Sequence, residues 1–464
     1  IVVRLLVNQR TTRGVAGNAQ PLRARIIGTK AFLHRARPDA AQGAKLRDLL
    51  KGEVFDDAET RAKASRDYSI FRVTPEVVVA PRDEEDLKRL VQFVARKRTS
   101  GDAAISLTGR SAGTDMSGGP LNESIIVSFT PHFNHVREVR EATEGDATSE
   151  AEANLEPGVY FRDFEKILHE KGLLYPPYPA SKDLCAIGGI VSNNSGGEKT
   201  LSYGKTADYV KEMRMVLADG ELHTFSKLSK EDLNKKLNEE GFEGDCYRKL
   251  HYLIESHYGL IQSARPNVSK NSSGYALWDV WDKRTGTFDM TRLFCGAQGT
   301  LGLMSQAKLK LVKDRPLHGL GVIFLKSLNQ LPKVTQAVLD LHPETFESYD
   351  DRTLEIALRF LPDLVRTMKM GIVKLAFQFF PEFLMALRGG LPKLVLLVEF
   401  AADDEPTLLK ALAGFKKKMD ALGVRSRTIE KEKHQQKYWT VRRQSFALLH
   451  NHNKNTSTVP FIDD

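Results

Sequence analysis

Two stretches of the chain gather small residues in a pattern suited to holding phosphate. The first runs Thr108-Gly109-Arg110-Ser111-Ala112-Gly113-Thr114-Asp115-Met116-Ser117-Gly118-Gly119. A diphosphate is held by several backbone N–H groups converging on its oxygens, and glycine permits the dihedrals this takes while keeping Cβ atoms out of the way. Arg110 adds positive charge to the same loop. Taken alone, the cluster also fits a surface turn, and it lacks GxGxxG spacing. The second stretch begins Pro176-Pro177-Tyr178-Pro179-Ala180-Ser181 and continues Ile187-Gly188-Gly189-Ile190-Val191-Ser192-Asn193-Asn194-Ser195-Gly196-Gly197. It leads into Tyr203-Gly204-Lys205-Thr206-Ala207-Asp208.

Metal chemistry finds less support. Cys185, Cys246 and Cys295 stand too far apart for a CxxC zinc or iron–sulfur run and suit a reducing cytoplasm. His450 and His452 form an HxH pair among Asn and Lys residues with no third ligand, so no metal site is assigned.

Rigid elements must aim these loops. Val77-Val78-Val79 is a β-branched run ending at Pro81, and Leu87, Leu90, Val91 and Val94 recur at helical spacing behind Asp83 and Glu84. Arg96-Lys97-Arg98 falls where a helix C-terminus favours cations. Ala104 to Leu107 reads as the next strand and Ser124 to Phe129 as the one after the glycine loop, which makes a β-α-β unit. Between the two loops, Phe161, Phe164 and Leu168 share one helical face, and Gly172 ends that helix.

In order and content these pieces resemble the FAD-binding domain of the vanillyl-alcohol oxidase and p-cresol methylhydroxylase (PCMH) superfamily. The likeness is to its branch of glycolate oxidases, D-lactate dehydrogenases and D-2-hydroxyglutarate dehydrogenases, and spans about Asp67 to Leu311. It matches Arg110, Ser111, Ala112, Gly113 and Thr114, with the adjoining Asp115, to an RGxGT-like loop that cradles the FAD diphosphate; Ser111 stands where glycine is usual. Pro179 and Ser181, then Gly188, Gly189, Asn194, Gly196 and Gly197, match a P-x-S element and a GG-x-x-x-x-N-x-GG loop near the isoalloxazine, with Gly204 and Thr206 just beyond. Leu217 to Gly220 resembles the family's strand and turn, and Lys270 to Leu277 its K-x-x-x-GY-x-L stretch. Leu293 to Leu303 resembles its LF-x-G-x-EGTLG segment, which brings in Gly299, Thr300 and Gly302 and has Gln298 for the usual glutamate. Arg110 to Gly119 holds no histidine, so the resemblance implies noncovalent FAD.

Further along, Leu317 to Lys326 reads as a strand, Leu328 to His342 as a helix and Phe346 to Tyr349 as a return strand. Leu394 to Phe400 is another strand, followed by a helix with Pro406 near its start, Leu408, Leu412, Phe415, Met419 and Leu422 inside, and Gly423 after it. Such a split β-α-β repeat predicts a ferredoxin-like cap, which in relatives covers the flavin. The expected fold is α+β. An extension and helical lead-in occupy 1–66, a two-subdomain PCMH-type FAD-binding domain 67–313, and a partial cap 314–464 with an apolar insert near 354–390. Pro460 to Asp464 resembles a point midway through the family's cap, so any divalent metal or iron–sulfur cluster is expected only beyond it. The resemblance carries over one catalytic candidate, Arg442 in Trp439-Thr440-Val441-Arg442, whose guanidinium suits bidentate binding of a carboxylate. An ordinary solvent-facing or ion-paired role for Arg442, with Arg443 beside it, is the alternative.

The 464 residues, 41% hydrophobic and 27% charged, exceed one ordinary core and are neither disordered nor fibrous in composition. The formal net charge is +9, but the basic residues are scattered among carboxylates, so no nucleic-acid partner is expected. Residues 1–28 lack the apolar core of a signal peptide. Pro362, Arg366, Lys369, Lys374 and Pro381 interrupt the apolar run of 354–387, which reads as a buried helical pair or as a face lying on a membrane, not as a span. The cytoplasm is the expected location, with peripheral contact at the inner face of the membrane as a variant. The implied activity is oxidation of D-lactate, glycolate or D-2-hydroxyglutarate, with a quinone, a cytochrome or another redox protein as acceptor. A noncatalytic flavin-binding fragment is the competing reading.

Overall fold

Four short strands carry the first glycine loop: β1 (Glu53–Phe55), β2 (Val77–Ala80), β3 (Leu107–Arg110) and β4 (Ile125–Ser128). They lie in the order β1-β2-β4-β3, with β2 and β3 parallel to β4 and β1 antiparallel to β2. This is a computed structural model, and it describes residues 40–143, 145–146, 149–268, 270–359 and 390–452. The opening extension as far as Asp39, most of the apolar insert and the last twelve residues lie outside the described residues.

Helix α1 (Glu84–Thr99) makes the crossover, capped by Asp83, whose carboxylate accepts from the Asp86 N–H. Its last turn holds Arg96, Lys97 and Arg98 against the negative end of the dipole. Leu87, Leu90 and Val94 bury against Val77, Val79, Ile125 and Val127. The strand expected over Ala104 to Leu107 instead begins at Leu107, because parallel pairing with β4 sets Gly109 opposite Val127 and Arg110 opposite Ser128. Arg110 therefore ends an edge strand, and the loop proper starts at Ser111.

The next strands are β5 (Val136–Arg140), β6 (Glu152–Leu155), β7 (Leu173–Leu174), β8 (Val210–Val216), β9 (Leu222–Leu228), β10 (Trp281–Asp282), β11 (Thr287–Asp289), β12 (Leu303–Lys310) and β13 (Val312–Lys313). Seven of them form an antiparallel sheet in the order β10-β11-β9-β8-β12-β6-β5, while β7 pairs with β13. From Ser305 to Lys310 alternate residues of β12 are buried, the signature of a sheet with one covered face. Helix α2 (Phe161–Glu170) buries Phe161, Phe164 and Leu168, and Gly172 with φ +61° follows it. Short helices α3 (Ile187–Ser192) and α4 (Thr200–Tyr203) frame the second loop. Ser305 on β12 and Arg214 on β8 both bond Glu84 of α1, tying the two sheets together.

The cap comprises β14 (Leu317–Leu325), α5 (Leu331–Leu339), β15 (Thr345–Asp350), β16 (Leu394–Ala402), α6 (Glu405–Ala421), β17 (Ser426–Ile429) and α7 (Glu432–His452). Its antiparallel sheet runs β15-β16-β14-β17, the ferredoxin-like order. Leu320, Val322 and Phe324 share a core with Tyr438, Trp439 and Val441 of α7. Ile323 and Leu325 pack with Val338 of α5 and with Leu412 and Phe415 of α6. Helices on both faces explain why Leu320 to Leu325 reads as a continuous apolar run. The helix expected over Leu328 to His342 is shorter, a 3₁₀ turn leading into α5, with Pro332 in the first turn where its missing N–H costs nothing. No helix among the described residues is long and apolar enough to cross a membrane.

Candidate functional site

The two small-residue loops, far apart in sequence, meet at a cavity of about 520 Å³. The first supplies Ser117, Gly118 and Gly119, the second Pro179, Asn193, Ser195 and Gly196, and Lys270, the Ser272 to Gly274 turn and Gln298 close it. That volume is in the range of small-molecule and cofactor sites. A second concavity of about 400 Å³ lies by Arg137, His135 and Arg214, but Glu156 pairs with Arg137 and bonds His135, and Glu84 pairs with Arg214.

Polar bonds shape the walls. The Asp115 carboxylate accepts from the Ser117 and Gly119 N–H groups at 3.0 and 2.7 Å and from the Ser117 hydroxyl at 2.9 Å, so it orders its own loop. Asn194 has φ +46°, is buried, and its side-chain oxygen accepts from Ala207 N–H at 2.8 Å, while its carbonyl takes the Ser272 hydroxyl. Thr206, fully buried, donates through both its N–H and its hydroxyl to the Ser195 carbonyl. Gln298, with φ +54°, donates to the Asn193 side chain at 2.7 Å.

Just upstream of the cavity, the first loop has free donors. Among the described residues none accepts from the backbone amides of Ala112, Gly113 or Thr114. Gly113 has φ +69° and lies over the Arg110 guanidinium, which a Cβ would approach to 2.2 Å. The Ser111 hydroxyl donates to the Pro157 carbonyl at 3.0 Å and packs against Gly188, joining the first loop to the second. The charge expected from Arg110 is turned under the loop: its guanidinium donates to the Arg66 carbonyl at 2.7 Å and the Ala64 carbonyl at 3.5 Å, and burial pulls its pKa down.

Of the predicted cofactor residues only Pro179 and Gly196 line this cavity; the remaining ones stand beside or behind it. Gly189 on α3 faces open space where a Cβ would stand, as does Gly299. Gly197 is pressed against the Tyr178 carbonyl, and its N–H is held by Thr200 Oγ1 at 2.8 Å. Ser181 accepts through its carbonyl from Leu184 and Cys185 N–H. Gly204 ends α4, the Thr300 hydroxyl bonds Ala297 and Tyr275, and Gly302 packs on Val216 and Leu217. The sequence reading missed Asn193, Ser195, Ser117 and Lys270 as cavity residues, although each lies within or beside a motif it had singled out.

In the cap, Arg442 does not stand ready as a carboxylate clamp. Its Nε and Nη2 lie 3.0 and 2.9 Å from Glu347 Oε2, the ion-paired alternative. Arg443 lies over Trp439 at 5.0 Å and binds Glu198. The reading of no metal site meets an unforeseen donor set: His318 Nδ1, Glu344 and Glu399 come within 4.8 Å of one another. The cation among them is Lys199, whose Nζ is 2.5 Å from Glu344 Oε2. The side chains of His450 and His452 lie outside the described residues.

Residues 75–226 match the FAD binding domain family, and residues 319–464 match the family of the C-terminal domain of FAD linked oxidases. The chain thus carries, in this order, the FAD binding domain and the C-terminal domain that FAD linked oxidases have. D-2-hydroxyglutarate dehydrogenase of Pseudomonas putida is 26% identical over 311 residues, covering 67% of this chain and 30% of that protein. Glycolate oxidase subunit GlcD of Bacillus subtilis is 28% identical over 312 residues, 65% of this chain and 52% of its own. The chain thus spans about a third to a half of the length of these relatives. The structure of p-cresol methylhydroxylase with substrate bound superposes with a TM-score of 0.56 over 88% of this chain and 71% of its own, at 13% identity, which speaks to the fold alone. The matched FAD binding domain takes FAD as its cofactor, and the residues present offer groups that fit it. The unspent amides of Ala112 to Thr114 are the donors a diphosphate takes, and Gly189 leaves the second loop open to a flat ring system.

Proposed function

We propose that this chain is the flavin-bearing part of an FAD-dependent dehydrogenase or oxidase converting a small D-2-hydroxy acid, D-2-hydroxyglutarate, D-lactate or glycolate, to the 2-oxo acid. The observation that carries the reading is the cavity where the two small-residue loops meet, lined by Ser117, Gly118 and Gly119 of the first and by Pro179, Asn193, Ser195 and Gly196 of the second. The names of the relatives agree with that substrate class. When bound, FAD would supply the two-electron acceptor for oxidation of the hydroxy-bearing carbon of the substrate. Ala112 to Thr114 bind the diphosphate, and the second loop orients the ring system. Arg442 would reach a substrate carboxylate by giving up Glu347, which meets its Nε and Nη2 through one oxygen, for a partner that offers two.

A noncatalytic flavin-binding role is the second reading, and the Arg442–Glu347 pair is what favours it, since the candidate clamp is already spent. An anaerobic visible spectrum of the FAD-loaded protein separates the two. Bleaching of the flavin band by D-2-hydroxyglutarate, D-lactate or glycolate supports the oxidase and names its substrate; a band unchanged by all three refutes it for this class.

A further inference from the structure

Glu198 and Lys199 follow directly on Gly196 and Gly197, and they reach into the cap in two directions. Lys199 is only 6% exposed. Its ammonium donates to Glu344 Oε2 at 2.5 Å and lies 3.9 Å from Glu399 Oε2. The Tyr203 hydroxyl donates to the other oxygen of Glu344 at 2.9 Å, and the Ser202 hydroxyl to the Pro343 carbonyl at 2.9 Å. On the other side, Glu198 takes the Arg443 guanidinium of α7, with Nη2 at 2.5 Å, and the Tyr178 hydroxyl at 2.8 Å. One short segment leaving the cavity wall is therefore clasped by the cap sheet through its cation and by the last cap helix through its anion. Burying a lysine is costly unless its partners are well placed, and apolar side chains would serve better if adhesion were the only need.

We propose that Lys199 is a positioning residue: its bond to Glu344 and Glu399 locks the Gly196–Gly197 loop to the cap and so holds the loop in the conformation that receives FAD. The inference rests on FAD as the cofactor and not on which hydroxy acid is oxidised. Facing the two carboxylates are Lys199 and Tyr203 from the loop and His318 from β14, whose Nδ1 is 3.7 Å from each, with Glu198 and Arg443 beyond and Arg315 acting on Tyr203. Burial already holds the Glu399 carboxyl above its usual range, with Lys199 and His318 opposing that. Without the ammonium the Glu399 carboxyl, already raised by burial, takes up a proton, or the two unpaired carboxylates drive the loop and cap apart. The damage is thus relieved at low pH and full at high pH.

The test is FAD titration of the whole chain, followed by flavin fluorescence at pH 6 and pH 8.5, in wild type, Lys199→Met and Lys199→Arg. Lys199→Met weakens FAD binding by roughly tenfold at pH 8.5, recovers most of it at pH 6, and the arginine variant restores it. Glu344→Gln, which keeps shape and an acceptor, serves where the methionine variant does not fold, and loosens FAD severalfold. Unchanged affinity, or an equal loss at both pH values, overturns the proposal, as does unchanged affinity in Glu344→Gln. Failure of the wild type itself to bind FAD overturns the cofactor assignment instead, so the two failures are distinguishable.

Discussion

Replacing Gly197 with alanine tests whether the close approach of the two strands of the second loop matters for the cofactor. A Cβ at this position would lie 2.1 Å from the Tyr178 carbonyl oxygen and 3.2 Å from Pro179 Cα. Both obstacles are backbone, so no side chain can swing aside, and the chain must part by on the order of 1 Å to reach an ordinary contact distance. Overpacking of this kind costs about 1–3 kcal/mol. Pro179 and Gly196 line the cavity on either side of the contact, so the displacement falls on the cofactor site. If the cost is realised there, FAD binding weakens about 5- to 150-fold. The assay is FAD titration by fluorescence quenching, beside Gly189→Ala as a comparison. Gly189 has nothing within 4 Å of its would-be Cβ, so alanine there leaves the apo fold intact and costs affinity only if the cofactor packs on α3. A Gly197→Ala protein that binds FAD within twofold of wild type refutes the reasoning.

Three further outcomes are expected. Acid precipitation of the FAD-loaded protein releases the flavin to the supernatant, since the Arg110 to Gly119 loop holds no histidine to link it; yellow colour retained in the pellet contradicts this. His223 is largely buried, which lowers its pKa, but hydrogen bonds to Glu243 and Asp219 at 2.9 Å each outweigh burial and raise it. A raised folded-state pKa stabilises fully below the unfolded value and is lost as pH climbs through the folded one. The gap in urea midpoint between wild type and His223→Gln is therefore wide near pH 6 and narrows above neutrality, and the reverse trend disproves the assignment. Cys185 and Cys295 are buried, burial pushing the Cys185 thiol up to about 12, whereas Cys246 is half-buried. A thiol reagent added to the native protein at pH 8 titrates at most one of the three cysteines, and rapid reaction of two shows the second-loop core to be open.

Patterns local in sequence were legible where their physical cause is also local. Phe161, Phe164 and Leu168 at helical spacing, closed by Gly172, became α2 as read, because periodicity and a C-terminal glycine act within a few turns. In the cap, β14, β15, β16 and α6 were legible for the same reason, with Asp404 as cap and Pro406 in the first turn, whereas β17 was not read. Where a boundary depended on a distant partner the reading slipped: β3 starts at Leu107 because β4 sets its register. The small-residue loops were visible as loops, but which of their residues face the cavity and which hold it up was not.

By itself the sequence determined the α+β class, the two loops, the ferredoxin-like repeat and the kinship with FAD-linked oxidases, since each rests on residue types at short, fixed spacing. Only the tertiary structure decided where charges go. Arg110 is spent on the carbonyls of Ala64 and Arg66, Arg442 on Glu347 across 95 residues, and Lys199 on Glu344 across 145. A charged side chain takes whatever partner the fold brings within about 4 Å, and no spacing along the chain encodes that neighbour.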